Sequence, residues 1–541
     1  VDSIRLRFPD GRSQIFKDVS ANQCLYLDDS EAREQRSPQD IDQETRFAER
    51  SDLLQQLYQH RENKYIRNGG FNDFRREVLI PHMLSTEGPA IASADVNKDG
   101  RDDFFVGGAK YQPSVLYLQN ADGSFTIGAS SPWLEDHDYE DVDAAFFDAN
   151  GDGWPDLYVV SGGNEFPSGD KRNQDRLYLN QKGKGFIPAG PQALPEMREN
   201  GACVAIADWD QDGDQDLFVG NRSVPGQYGV FPPAHWLENQ GNGQFQKLNM
   251  TTEPVKGMIT DATFEDFDAD GDPDLWLVGE WMPISLLENT GQRFSPKNVP
   301  AFANTHGWWN RLAHADFDGD GDQDFIAANL GLNSNIEASQ DEPCTLYLAD
   351  FDQNGVLDPI ICSYNEGISY PMASKDEITQ QIIALRRPYE RYADYAKSTI
   401  VDLFGQEAVD AAIQRKATFF ETTYIENLGG GDFRLRPLAQ EVQYGPIYAI
   451  QPLDVDQDGK LDLLLGGNFS GVGPGRGRYD ASYGWYLQGQ GNGSFQLQSP
   501  SESGLWLEGE SRRFGLISRP KQAALLLVGR NNGPISLWER K

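Results

Sequence analysis

The stretch DFDADGDPDLWLVGE, residues 266–280, sets four aspartates at positions one, three, five and nine of a short loop and runs on into an apolar segment. The four are Asp266, Asp268, Asp270 and Asp274, with Gly271 at position six. A calcium ion takes six to eight oxygen ligands at about 2.3–2.6 Å, so carboxylates alternating along a tight loop can converge on one ion. Glycine at position six permits the sharp turn that brings position nine back. Leu275 to Val278, a short apolar run closed by Gly279 and without helical period, reads as a buried sheet strand.

The pattern Asp-x-(Asp/Asn)-x-(Asp/Asn)-Gly-x-x-Asp occurs seven times, beginning at Asp95, Asp148, Asp208, Asp266, Asp316, Asp350 and Asp454. It departs from an EF-hand loop, which closes on a glutamate at position twelve and lies between helices. Here strands follow: FFVGG from Phe104, LYVVSGG from Leu157, LFVGN from Leu217, FIAANLG from Phe325 and LLLGGN from Leu463. Side-chain ligands are expected at positions one, three, five and nine, with the backbone carbonyl of position seven. That gives Asp95, Asn97, Asp99, Arg101 and Asp103; Asp148, Asn150, Asp152, Trp154 and Asp156; and Asp208, Asp210, Asp212, Asp214 and Asp216. The fourth loop adds Asp272 to the residues named above, and the fifth gives Asp316, Asp318, Asp320, Asp322 and Asp324. The last two give Asp350, Asp352, Asn354, Val356 and Asp358, then Asp454, Asp456, Asp458, Lys460 and Asp462.

A second repeated element closes most units: a strand, a glycine turn and an aromatic, as in LYLQNADGSF (Leu116 to Phe125), WLENQGNGQF (Trp236 to Phe245) and YLQGQGNGSF (Tyr486 to Phe495). Each unit therefore holds several strands. The first five loops start 50 to 60 residues apart, the length of a propeller blade of about 40–50 residues with loop insertions. Such a sheet cannot bury both faces alone and must stack against others around an axis. The loop at Asp350 breaks the spacing and reads as nested inside the fifth blade, whose last strands arrive from Tyr424. A final unit without the acids, ALLLVGRNNGPISLW (Ala524 to Trp538), completes seven blades. The expected fold is all-β, a seven-bladed propeller over 86–541; eight blades, with the Asp350 loop in its own blade, is the alternative.

Net charge is −36, and roughly a third of the 83 acidic residues lie in the seven loops. That charge, with no basic stripe, argues against nucleic acid and anionic membrane surfaces. No apolar run reaches the length of a membrane span. Cys24, Cys203, Cys344 and Cys362 are too few and too scattered for a disulfide scaffold or a zinc site. Cys344 and Cys362 flank the nested loop, where either a facing pair or two buried thiols is consistent with the sequence.

Three segments stand outside the propeller. Residues 1–30 alternate apolar and polar around Pro9-Asp10-Gly11, a small β-module. Residues 31–85 form a charged, partly helical connector. Residues 372–420 form a helical insertion in the fifth blade: Ser374 and Glu377 make a capping box, and Ile378, Ile382 and Leu385 follow at helical spacing before Pro388. The chain opens abruptly on VDSIRLRFPDG without a signal peptide, as a piece of something longer would.

The loops and their strands resemble FG-GAP repeats of the VCBS type, the calcium-binding propeller repeats also found in the integrin α-subunit head. IRLRFPDGRSQIFKDVSANQCLYL resembles the ASPIC/UnbV module of cartilage acidic protein and its bacterial relatives. HRENKYIRNGGFNDFRREVLIPHML from His60, GEWMPI from Gly279 and GWWNRLAHADFDGDGDQDFIAANLGLNS from Gly307 resemble the large bacterial surface members of that group. In the group the module usually follows a propeller, so the resemblance implies an earlier propeller outside this chain. It also implies a secreted or surface location and a role in adhesion or ligand binding.

The expected function is extracellular, calcium-stabilised recognition of a protein or glycan ligand, or adhesion. Two other classes stand beside it: a structural subunit of a surface assembly, bound through the N-terminal module and inserted helices, and a carbohydrate-active lyase or hydrolase. A candidate ligand patch collects Trp281, His306, Trp308, Trp309 and Arg311, with Glu280, Asn310 and His314 as further residues an enzyme would draw on. Ordinary blade packing is the leading account of the same aromatics. His60 with Glu62 and Asn63 reads as a structural network at the propeller entrance.

Overall fold

The computed structural model describes residues 3–7, 12–17, 19, 33–34, 45–62, 70–128, 132–251, 254–291, 293–473 and 475–541. It is all-β and propeller-like, built of four-stranded antiparallel sheets with a few short helices. Seven sheets open on the strands Ile91–Ala94, Asp141–Phe147, Asn200–Ala207, Met258–Glu265, Arg311–Ala315, Ile447–Leu453 and Glu510–Ile517. Each of these first strands packs against the next in chain order, and Glu510–Ile517 packs against Ile91–Ala94, which closes the series.

In six of the seven sheets the second strand is the apolar run after the acidic loop. Asp103–Val106, Asp156–Ser161, Asp216–Ser223, Asp274–Met282, Asp324–Ala328 and Asp462–Gly467 are buried at every residue. Both of their faces meet neighbouring sheets, which is why these strands read as continuous rather than alternating hydrophobics. The aromatic that closes each repeat opens the fourth strand: Phe125, Phe186, Phe245, Phe294, Phe433 and Phe495 all hold that place.

The last sheet supplies only three strands from its own stretch of chain. Its fourth is Phe47–Glu49, with Phe47 opposite Arg540 and Glu49 opposite Trp538. The segment expected to be a connector is therefore partly an outer strand, because Ser536–Arg540 would otherwise present an unpaired edge. Farther along, Asn72 caps the short helix Asp73–Arg76, and Leu79, Ile80 and Leu84 are buried. At the N-terminus, Ser3–Arg7 and Arg12–Lys17 pair antiparallel with Ser3 opposite Lys17, and Arg33–Glu34 joins them. The Pro9-Asp10-Gly11 turn, Cys24 and Asn63 lie outside the described residues.

The insertion is larger than a set of helices. Between the second and third strands of the fifth sheet the chain builds a further sheet, ordered Ile368–Pro371, Asp358–Asn365, Cys344–Ala349, Ile413–Ala417. The Asp350 loop joins two of its strands. The helix Lys375–Gln381 begins at the Ser374–Glu377 capping box, and Ile378, Ile382 and Leu385 enter a core with Ile360, Tyr395, Ile400 and Val409. Leu346 and Leu348 pack with Tyr228, Trp281, Trp308 and Leu330 from the sheets beneath. Cys344 and Cys362 are buried free thiols, as is Cys203.

Candidate metal centres

All seven acidic loops share one backbone shape. Position four is left-handed in every copy: Lys98, Gln211, Ala269, Gln353 and Gln457 at φ 55° to 60°, and Gly151 and Gly319 at 71° and 81°. Position six is glycine at φ 82° to 100° throughout. The sequence pattern marks position six but not position four, where five copies hold residues with a β-carbon. Such a conformation costs about 1–2 kcal/mol per non-glycine residue and persists only where its surroundings hold it.

What holds it is the first aspartate. Asp95 Oδ2 accepts the Gly100 N–H at 2.7 Å, and Asp148, Asp208, Asp266, Asp316, Asp350 and Asp454 accept the equivalent glycine N–H at 2.6 to 3.2 Å. The position-five side chain then accepts the N–H of position seven, as from Arg101 to Asp99 and from Asp272 to Asp270. The acids at positions one, three and five thus line one concave loop. Carboxylate oxygens of Asp208, Asp210 and Asp212 lie within 4.8 Å of one another, as do those of Asp316, Asp318 and Asp320. In the fourth and nested loops the ninth residue joins: Asp266, Asp268 and Asp274, and Asp350, Asp352 and Asp358. In the first and last loops a position-seven cation sits against position five, Arg101 against Asp99 and Lys460 against Asp458.

Position nine has a second task that spacing alone does not show. Its Oδ1 accepts a backbone N–H from the third strand: Asp103 from Gln119 at 2.8 Å, Asp156 from Asn180 at 2.7 Å, Asp216 from Asn239 at 2.7 Å, Asp274 from Asn289 at 2.7 Å, Asp324 from Asn427 at 2.9 Å and Asp462 from Gly489 at 2.7 Å. Burial pushes these carboxyls up, Asp103, Asp216 and Asp274 to about 7 and Asp156 and Asp324 to about 6. The nested loop differs: Asp358 Oδ1 accepts from the side chain of Gln381 on the inserted helix at 2.8 Å. Position two packs inward, with Val96, Ala149, Trp209, Phe267, Phe317 and Val455 all buried between sheets.

The expected ligand patch is not a surface. Trp281, Trp308 and Trp309 are at most 3 % exposed. Trp281 Nε1 donates to Tyr228 Oη at 2.9 Å, and Trp308 packs edge-on against Trp281 and His82. Trp309 faces another core, donating to the Thr305 carbonyl at 2.8 Å and stacking on Phe419. Adjacent residues of an extended chain point to opposite sides, so a Trp-Trp pair cannot serve one face. Arg311 turns toward the inner strands, where it pairs with Asp261 at 3.1 Å. Asn310 donates to the Ile447 carbonyl, and His314 sits against Glu265 at 3.2 Å. Arg311 is only partly buried, and His306 is half-buried beside the insertion, where burial lowers its imidazole pKa.

Glu280 anchors a buried network. It accepts from Arg222 at 2.7 Å and Tyr228 at 2.8 Å and lies 2.8 Å from His82. Burial pushes its carboxyl up, but Arg222 and His82 outweigh that and hold it at about 2. A carboxylate so held is a structural counter-charge rather than a general acid.

A propeller-like all-β chain carrying repeated acidic loops is the class these features define. An FG-GAP-like repeat model matches residues 95–159 and 266–327. No curated protein matches the chain. Among solved structures it is similar to Saccharomyces cerevisiae Sqt1 (11 % identity, TM-score 0.39, covering 85 % of this chain and 97 % of that one). It is also similar to YCF48 from Cyanidioschyzon merolae (8 %, 0.39, 85 % and 98 %) and to the Dos1 propeller (10 %, 0.36, 89 % and 95 %).

Proposed function

We propose that the chain is a seven-bladed calcium-binding propeller that works outside the cell as a recognition or adhesion module. The observation that carries the calcium reading is the common loop geometry, with left-handed backbone at positions four and six and the acids of positions one, three and five on one concave side. Asp, Asn and a backbone carbonyl make a hard oxygen set of the kind calcium takes. Those residues would hold the ion, and the ion would neutralise carboxylates that otherwise repel one another. Seven blades are favoured over eight because the sheet bearing Asp350 stands off the closed series of first strands. Extracellular calcium near millimolar fills even sites of about 10⁻⁴ to 10⁻³ M affinity.

The recognition surface would be the insertion. Val356, Ile368, Ile383, Tyr392 and Ile413 are 46 to 62 % exposed there, while its own core is filled. Apolar side chains left out on a well-packed unit suit a protein ligand. The test is binding to extracellular matrix and surface proteins with calcium present, comparing the intact chain with an Ile383→Ser, Tyr392→Ser double variant. Binding lost in the variant supports the reading; binding that survives in the variant, or turnover of a polysaccharide in the same preparations, overturns it.

A further inference from the structure

Glu62, Glu140 and Glu165 meet at the end of the sheets opposite the acidic loops. Glu140 immediately precedes the strand Asp141–Phe147, and Glu165 follows Asp156–Ser161; the loop joining those two antiparallel strands is the one at Asp148. Glu62 arrives from the N-terminal segment, its Oε1 accepting from Asn531 Nδ2 at 3.1 Å and its N–H donating to Asn532. One carboxylate oxygen from each of the three lies within 4.8 Å of the others. Two oxygens bound to one ion at about 2.3–2.6 Å can stand no farther apart than about 5 Å.

Second oxygens are left over. Glu140 Oε2 accepts the Lys110 N–H at 3.1 Å, but Glu140 Oε1, Glu62 Oε2 and Glu165 Oε2 are buried without a hydrogen-bond partner. Among the described residues no lysine or arginine forms an ion pair with any of the three carboxylates. A buried carboxylate oxygen without a donor is costly where no counter-charge pairs with the group, and three together more so. Gly163, at φ 97°, makes room for them, since a β-carbon there would collide with Glu165 Oε2.

Beside the cluster, His60 is fully buried and neither ring nitrogen has a hydrogen-bond partner. Its Nε2 stands 3.7 Å from Glu62 Oε1, outside hydrogen-bond reach. Acid side chains packed together and an unpartnered imidazole facing them answer one another only through something placed between.

We propose that Glu62, Glu140 and Glu165, with His60 at the rim, form a divalent-cation site separate from the seven loops, of the oxygen-rich kind that manganese and calcium take. The ion ties the N-terminal segment to the second sheet, and Asn531 extends the tie to the last. None of these four residues belongs to the seven loops. The probe is Mn²⁺. Chelated protein is dialysed against Mn²⁺ and its metal content measured, and crystals soaked in Mn²⁺ are examined for anomalous scattering. An anomalous peak among the three glutamates, and one equivalent less Mn²⁺ in Glu140→Gln than in the parent, are expected. Peaks at the loops alone, or equal metal in a folded Glu140→Gln, overturn the site in favour of carboxyls sharing protons. If Glu140→Gln does not fold, the crystal of the parent protein decides. A peak at the glutamates with none at the loops upholds this site while refuting calcium in the loops.

Discussion

Asp274 Oδ1 accepts the backbone N–H of Asn289 at 2.7 Å, while Asp274 also stands with Asp266 and Asp268 in the acidic loop. One carboxylate therefore staples the second strand of a sheet to the third and closes the loop that precedes it. The same strand-to-strand bond recurs at Asp103, Asp156, Asp216, Asp324 and Asp462.

Two substitutions separate these tasks. Asp274→Ala removes the acceptor for a buried N–H and should cost about 1–3 kcal/mol even in chelator. Asp268→Asn, at an exposed position of the same loop, should cost stability only when calcium is present. Denaturant unfolding with and without EDTA measures both, and equal losses in EDTA would refute the division.

Calcium removal should lower the melting temperature of the whole chain. A site filled at a hundred times its dissociation constant adds about 2.7 kcal/mol, and several independent sites add together. Differential scanning calorimetry across a calcium series reads the shift, and a melt indifferent to chelation would exclude a structural ion.

Backbone strain gives an ion-independent check. Gly319 lies at φ 81° in position four, where other copies tolerate Ala269 and Gln457. Gly319→Ala should therefore fold, at a cost of about 1–2 kcal/mol. Gly321→Ala, at φ 100°, should cost more. Thermal melts of the two variants in EDTA rank them, and the reverse order would refute the account.

The Glu280 network predicts a pH response. Its folded carboxyl is held at about 2, below the ordinary value of about 4.3, so the native state favours the ionised form. That contribution is complete above about pH 4.3 and is lost as pH falls toward 2. Glu280→Gln leaves the buried Arg222 with Glu87, 3.5 Å from its Nε, as its remaining counter-charge and should cost about 3 kcal/mol near neutrality. It should also flatten the acid limb of a stability–pH curve. An unchanged acid limb would show that Glu280 is not the titrating group.

Much of the sheet order was legible because it rests on local chemistry. An acid loop, a fully apolar run, then a strand, a glycine turn and a phenylalanine each leave a mark within ten residues, and Phe125, Phe186 and Phe245 stand where that pattern puts them. The fourth strand of the last sheet left no such mark. Phe47–Glu49 is three residues long and is a strand only because Ser536–Arg540 pairs with it. The aromatic patch stayed open between packing and a ligand surface for a related reason. Trp281, Trp308 and Trp309 are close in sequence to acids and histidines, yet alternation along the strand sends Trp308 and Trp309 into different cores.

The sequence by itself determined the repeated unit: the loop, its candidate ligands and the buried strand after it, since each depends on residues within one turn of chain. Only the tertiary structure decided that Asp350 sits in an inserted sheet, that position nine ties two strands together, and that Glu62, Glu140 and Glu165 share one buried pocket. Those relations join residues from about 15 to 100 positions apart in the chain, and burial and register, not local pattern, bring them within reach.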